Sequence, residues 1–247
     1  MPIETIDDVL SGLDAIIARA HEDKSRCGFF AALYRRVTRR VKAGILAGRF
    51  EDGARMDLFD SHFAGRYLAP FDAYRNGRPA PASWSLAFRA CDDAGPCVLQ
   101  HLMAGMNAHI NMDLGPSAAA VAPGAALESL RRDFNEINSV LSEETLAVEN
   151  ALATLSPALA MLRDAALLDG NLVINFSMGK ARDFAWMTAQ EFAANPGDQE
   201  ARLARLDMVV SALGQTVLHP PLTIAMKLKA VRALETNDIR RIIEALA

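Results

Sequence analysis

Apolar residues recur at steps of three and four along almost the whole chain, which is the spacing of amphipathic helices. Turn signals such as Asn76-Gly77, Gly95-Pro96 and Asn195-Pro196-Gly197 separate these segments, and the loops between them are short. No segment shows the sustained alternation of a half-buried strand. The pattern therefore predicts one all-α, bundle-like domain over residues 1–247, with about eight to twelve helices.

Two helical segments are predicted at 125–140 and 143–155, and Ser156-Pro157 is expected to begin another that runs to Leu168. Residues 173–176 have strand propensity, but helical spacing continues beyond them. A single long helix is therefore predicted over 172–194.

Composition narrows the class of protein. Apolar residues make up 51% of the chain, which excludes disorder for most of its length, and the formal net charge of −4 argues against nucleic acid as a partner. Three cysteines at irregular spacing predict free thiols. The acidic start lacks the pattern of a signal peptide, and no apolar run is long enough to span a membrane, so a cytoplasmic location is expected. The sequence does not define the oligomeric state.

Residues 98–115, VLQHLMAGMNAHINMDLG, set two histidines, two asparagines and an aspartate into an otherwise apolar helical run. Such groups need partners, because leaving one buried and unpaired costs on the order of 1–3 kcal/mol. Leu114-Gly115-Pro116 is expected to end or kink this helix. Gly105, inside the helix, predicts the close approach of another backbone or of a ligand. The segment is therefore either a buried polar network or a binding site.

His109 and Asp113 are four residues apart, so they are expected to lie one turn apart on the same helix face. His101 is too far along a straight helix to share one metal ion easily with His109. Asn107 and Asn111 repeat the spacing of four on a neighbouring strip. Two interpretations stay open: a hydrogen-bonded core network, or a metal-binding or catalytic role for His109 and Asp113.

The run HLMAGMNAHINMDLG, preceded by FAGRYLAPFDAY and followed by RRDFNEIN and ARDFAWMTA, resembles the DUF5995 family of bacterial proteins. The resemblance extends from about residue 25 to 195. The central motif of that family falls on His101, Gly105, Asn107, Ala108, His109, Ile110, Asp113 and Leu114 of this chain. Flanking matches fall on Phe63, Arg66, Tyr67, Asp133, Phe134, Arg182, Ala185 and Trp186. The family has no known activity, so the resemblance indicates where a site lies and not what it does.

Asp133 lies on the apolar side of its helix and therefore needs a partner. Together with His109 and Asp113 it would give a set of one histidine and two carboxylates, suited to a divalent metal ion. The alternative is that Asp133 pairs with Arg66 or Arg182 across the bundle.

Two classes of function follow from these residues. In the first, the polar cluster is a structural core or binds a small molecule, with Asn107, Arg66 and Arg182 around the ligand. In the second, His101, His109, Asp113 and Asp133 are the catalytic residues of a metal-dependent hydrolase that acts on a small or lipid-like substrate. A divalent ion held by His109, Asp113 and Asp133 would be its cofactor.

Overall fold

The computed structural model describes the backbone of residues 3–155 and 178–247, and the side chains of these residues other than 142 and 145–155. Within these ranges the chain forms helices and no strands, so the predicted all-α fold is confirmed. The α-helices are α1 (Ile6–Asp23), α2 (Cys27–Leu46), α3 (Gly53–Arg75), α4 (Ala82–Ala90), α5 (Val98–Met106), α6 (Gly115–Val121), α7 (Leu127–Leu155), α8 (Met178–Ala194), α9 (Gln199–Leu218), α10 (Leu222–Leu234) and α11 (Ile239–Leu246). A π-helix, π1 (Asn107–Leu114), joins α5 to α6, and a short 3₁₀ turn (Gly124–Ala126) precedes α7.

Side-chain caps mark where several helices begin. Thr5 accepts a hydrogen bond from the backbone of Asp8, whose carboxylate in turn accepts from the Thr5 backbone, and this reciprocal capping box starts α1. Asp52 caps α3 by accepting from the backbone N–H of Arg55 at 2.9 Å. Each cap satisfies a donor that the first turn of a helix would otherwise leave unpaired.

The α5–π1–α6 segment is the centre of the fold. It runs without interruption from Val98 to Val121, and π1 packs against α3, α4, α8 and α9 as well as its own neighbours. All eight residues of π1 are buried. The polar motif of the sequence therefore lies in the middle of the molecule.

The helix does not end at Leu114-Gly115-Pro116, because helical structure continues to Val121, although it changes there from π-helix to α-helix. Pro116 lies at the junction of π1 with α6, and helical structure continues through it. Gly115 is required by packing: a Cβ atom there would lie 2.5 Å from the carbonyl oxygen of Ala185, so α8 crosses in direct contact.

The segment after α6 also differs from the prediction. A single helix, α7, covers 127–155, where the sequence indicated two. Its Glu144 side chain is buried and pairs with Arg36 and Arg40 of α2, which joins α7 to the N-terminal helices. The helix expected from Ser156 to Leu168 and the first part of the one expected from 172 fall outside the described residues.

Among the described residues, no helix is both long enough and apolar enough to cross a membrane.

Candidate functional site

The motif residues from Asn107 to Leu114 lie on a π-helix and not on the regular α-helix that their spacing predicted, while His101 and Gly105 lie on α5. In a π-helix each backbone N–H bonds to the carbonyl five residues earlier, and such stretches occur mostly as single turns, frequently at functional sites. Here eight successive residues, NAHINMDL, adopt it. The conformation therefore marks this segment as the candidate site.

Five aromatic rings enclose the imidazole of His109. Phe63 stacks on it with ring centroids 3.6 Å apart, and Tyr34 meets it edge-on at 4.3 Å. Phe30, Trp84 and Tyr67 complete the enclosure at centroid distances of 5.6, 6.1 and 6.4 Å. We call these five rings the aromatic box. His109 is 4% exposed, and neither of its ring nitrogens makes a hydrogen bond to any protein group.

Asp113 lies beside His109 on π1 and is held by a residue of a second helix. Its Oδ2 accepts a hydrogen bond of 2.8 Å from the indole N–H of Trp84, on α4. The same oxygen is 3.6 Å from Nδ1 of His109, which is close enough for electrostatic attraction but too long for a hydrogen bond. The predicted one-turn pairing of His109 with Asp113 is thus present, with Trp84 as the group that orients the carboxyl.

Burial shifts both members of this pair toward their neutral forms. Burial lowers the pKa of His109 well below its ordinary value. Burial also raises the pKa of Asp113 well above its ordinary value, although Arg66 and the hydrogen bond from Trp84 act in the opposite direction. At neutral pH His109 is therefore an uncharged imidazole, with one nitrogen able to donate a hydrogen bond and the other able to accept one.

Other polar groups with incomplete hydrogen bonding lie around the pair. The Tyr34 hydroxyl faces the hydroxyl of Thr38, but neither group makes a well-formed hydrogen bond. The Nε of Arg66 and one carboxylate oxygen of Asp60 are also buried without a hydrogen-bond partner. Burial, aided by Asp57, raises the pKa of Asp60 to about 7. Buried polar atoms are nearly always paired in native proteins, so this concentration at one place needs an explanation.

His101 occupies a different place, one end of a narrow cleft that we call the His101 cleft. Arg26, Cys27, Cys91 and Gly105 line the cleft, together with Phe30, Tyr67 and Trp84 of the aromatic box. The cleft accommodates on the order of one water molecule. Burial lowers the pKa of His101 to about 4. Its ring faces the backbone carbonyl of Pro96, but neither nitrogen makes a well-formed hydrogen bond. Gly105 meets the side chain of Phe30, which a Cβ atom would approach to 2.6 Å, and not another backbone.

A model of the family of unknown function DUF5995 matches residues 6–220 of the 247-residue chain. The chain belongs to this family. The match includes π1 and every candidate residue of this DUF5995 protein. No curated protein and no solved structure matches it significantly.

The metal set expected in this DUF5995 chain is not assembled. Among the described residues, no three histidine, cysteine, aspartate or glutamate side chains converge in a way that could hold a metal ion. Asp133 accepts hydrogen bonds from the backbone N–H groups of Glu51 and Asp52, and its cationic partner is Arg55 at 3.0 Å. The alternative pairing with Arg66 or Arg182 is wrong as well. Asp133 instead connects α7 to the loop before α3.

Two other predicted residues of the DUF5995 chain also bind protein groups. Asn107 donates to the carbonyl of Val210 on α9 and accepts from the amide of Asn111, each at 2.9 Å. Arg182 donates to the backbone carbonyl of Phe134 and lies over its ring, 4.3 Å from the centroid. The structure thus brings His109, Asp113 and Arg66 together. Asn107 lies on the same π-helix but bonds to Asn111 and Val210, and Asp133 and Arg182 lie elsewhere.

Sequence reasoning missed Trp84 as the partner of Asp113 and missed Tyr34 and Phe30 as walls of the site. One signal was available: α2 carries Phe30 and Tyr34 four residues apart, and α3 carries Phe63 and Tyr67 at the same spacing. Paired aromatic residues at this interval form a continuous surface on one helix face.

Proposed function

We propose that this protein binds a small, uncharged, planar polar molecule against His109, inside the aromatic box. The ligand exchanges hydrogen bonds with the imidazole, and its flat face stacks on the surrounding rings. The unpaired nitrogens of His109 carry this proposal. Each buried polar atom without a partner costs about 1–3 kcal/mol, and a ligand that bonds to both would recover that loss.

The chemistry of the box favours a neutral ligand. His109 is uncharged at neutral pH, and the raised pKa of Asp113 reflects the same low polarity. Bringing a full charge into such surroundings is expensive unless an ion pair compensates it. Amides and nitrogen heteroaromatics offer a donor, an acceptor and a flat face in one small molecule, and both can stack on aromatic rings.

Access to the box is through the His101 cleft. Phe30, Tyr67 and Trp84 belong to both, so a change of rotamer in one of these rings would join the cleft to His109. The cleft in its present form is too narrow for a ligand larger than water, and binding therefore requires a ring to move. His101, Arg66 and Asn107 stay candidate contacts of the incoming molecule.

The metal-dependent hydrolase has no comparable support. Its proposed ligand Asp133 is engaged with Arg55 and two backbone N–H groups, and no other described acidic residue completes a set with His109 and Asp113.

The test is a titration with three sets of small fragments: neutral amides and nitrogen heteroaromatics, carboxylates, and alkylammonium ions. Nuclear magnetic resonance of ¹⁵N-labelled protein reports the two ring nitrogens of His109, which are assigned by their disappearance in His109→Leu. We expect neutral fragments to shift these resonances and to raise the melting temperature of the wild type.

Phe63→Leu is the matched control, because it removes the ring stacked on His109 and leaves the imidazole in place. It should weaken binding without abolishing it, whereas His109→Leu should abolish it. The proposal is wrong if no fragment moves the His109 resonances. It is also wrong if the same fragments stabilise His109→Leu and the wild type equally.

A further inference from the structure

Cys27 and Cys91 both line the His101 cleft. Cys27 is the first residue of α2, and Cys91 directly follows α4, yet both thiols line the same cavity. The guanidinium of Arg26 donates to the carbonyl of Cys91 at 3.4 Å, which joins the two chain segments beside the thiols.

Both thiols line this one cavity, where each influences the pKa of the other, and both residues are partly exposed. The Cys91 thiol also donates a hydrogen bond of 3.5 Å to the backbone carbonyl of Ala87. Cys97 differs on each count: it is fully buried at the start of α5, and burial raises its pKa to about 12. The chain therefore has one reactive pair and one shielded thiol, a difference that the residue spacing alone did not indicate.

The environments of the paired thiols are unequal. Interaction with Cys91 lowers the pKa of Cys27, with a further contribution from Ser25, while the same interaction and burial raise the pKa of Cys91. Because the thiolate is the nucleophilic form, Cys27 is the residue that attacks first. Once Cys27 has been oxidised it no longer carries the charge that suppresses ionisation of Cys91.

We propose that Cys27 and Cys91, which line the His101 cleft together, are a redox pair that a hydroperoxide converts to a disulfide. This inference does not depend on a ligand at His109.

The reaction has two balanced steps. The Cys27 thiolate attacks the terminal oxygen of the hydroperoxide, an S–O bond forms, the O–O bond breaks, and the departing oxygen takes a proton to leave as water or alcohol. The Cys91 sulfur then attacks the sulfenic sulfur of Cys27; the S–S bond forms, the S–O bond breaks, and the hydroxyl leaves as water with the thiol proton. The two thiols lose two electrons and two protons in all, and the peroxide is reduced.

The bond would also fix two helices that are far apart in sequence. Closing a loop between residues 27 and 91 restricts the unfolded chain, and for a protein of this size we expect the melting temperature to rise by about 10 °C. Because Phe30 and Trp84 lie on the two helices that the bond would join, oxidation would restrict movement of the rings that separate the cleft from His109.

The experiment treats reduced, folded protein with one equivalent of hydrogen peroxide, alkylates the remaining thiols in denaturant and maps the peptides by mass spectrometry. No lysine or arginine separates Cys91 from Cys97, so trypsin would leave both on one peptide. A protease that cleaves before aspartate separates them at Asp92 and Asp93. We expect a Cys27–Cys91 disulfide, an alkylated Cys97 and a higher melting temperature that returns to its starting value on reduction.

Two variants complete the test. Cys91→Ser should form no intramolecular disulfide and should accumulate a sulfenic acid at Cys27 that dimedone traps, while Cys97→Ser should form the disulfide as the wild type does. Recovery of both Cys27 and Cys91 in alkylated form would overturn the proposal. So would a disulfide that involves Cys97, or a Cys91→Ser variant in which dimedone labels nothing.

Discussion

Asp60 provides a quantitative test of the electrostatics around the aromatic box. Its carboxyl group is 7% exposed on α3, and one of its oxygens has no hydrogen-bond partner. Burial is the largest cause that raises its pKa, and the neighbouring carboxylate of Asp57 adds to it, so that the pKa rises from 3.8 to about 7.

The direction of the effect on stability follows from proton linkage. The pKa of Asp60 is higher in the folded protein than in the unfolded chain. Below about pH 4 the carboxyl is protonated in both states, and ionisation of Asp60 takes nothing from the stability of the folded protein. The folded state loses stability as the pH rises from about 4 to about 7, because ionisation must then occur in a buried place. Since one pKa unit corresponds to about 1.4 kcal/mol, the loss reaches at most about 4 kcal/mol.

The perturbation is Asp60→Asn, which keeps the shape of the side chain and removes the ionisation. Urea denaturation followed by circular dichroism should give nearly equal free energies of unfolding for variant and wild type at pH 4. At pH 8 the variant should be more stable by up to about 4 kcal/mol. Asp72→Asn is the matched control for the loss of one negative charge, because it removes a carboxylate that lies exposed on the same helix and pairs with Arg78 at the surface. The reasoning is refuted if the difference between Asp60→Asn and wild type stays constant from pH 4 to 8.

Further predictions concern the packing and orientation of the site. Trp84→Phe removes the indole that holds Asp113, and we expect the free energy of unfolding in urea to fall by about 2–3 kcal/mol. An unchanged midpoint would show that this hydrogen bond contributes nothing. Gly115→Ala places a Cβ atom against the carbonyl of Ala185 and should destabilise the protein by about 1–3 kcal/mol in the same assay. Gly65→Ala meets no atom within 4 Å and should stabilise α3 by about 0.5–1 kcal/mol, so equal effects at the two glycines would contradict the packing described here.

The helices and the pairing of His109 with Asp113 could be predicted from the sequence because both depend on short-range spacing. A residue and its neighbour four positions on lie on the same face of a helix regardless of the rest of the fold. The polar residues within an apolar run also indicated which segment holds the candidate site, because polar side chains are uncommon on the buried face of a helix.

The π-helical conformation of Asn107–Leu114 could not be predicted in this way. Its residues have the apolar spacing of an ordinary helix. The wider turn depends on contacts with α3, α4, α8 and α9, which are distant in sequence. The sequence also did not predict that the helix continues through Gly115-Pro116. Gly115 leaves room for the backbone of α8, which is distant in sequence, and does not end a helix.

Asp133 shows a limit of reasoning from side-chain types. Its place on the apolar face of α7 correctly predicted that it needs a partner. Its partners include the backbone N–H groups of Glu51 and Asp52, and backbone donors carry no signature in the sequence. Arg55 was also overlooked, because the match to the family motif pointed to Arg66 and Arg182.

The most direct test of the binding-site account is the free energy of unfolding of His109→Leu without ligand. The substitution removes two buried nitrogens that have no protein partner, which should stabilise the folded state by about 1–3 kcal/mol each. It also loses the stacking on Phe63, worth about 1 kcal/mol. The account therefore predicts a variant that is at least as stable as the wild type. A loss of 3 kcal/mol or more would contradict it, because His109 would then contribute structural hydrogen bonds to the core and would not be kept for a ligand.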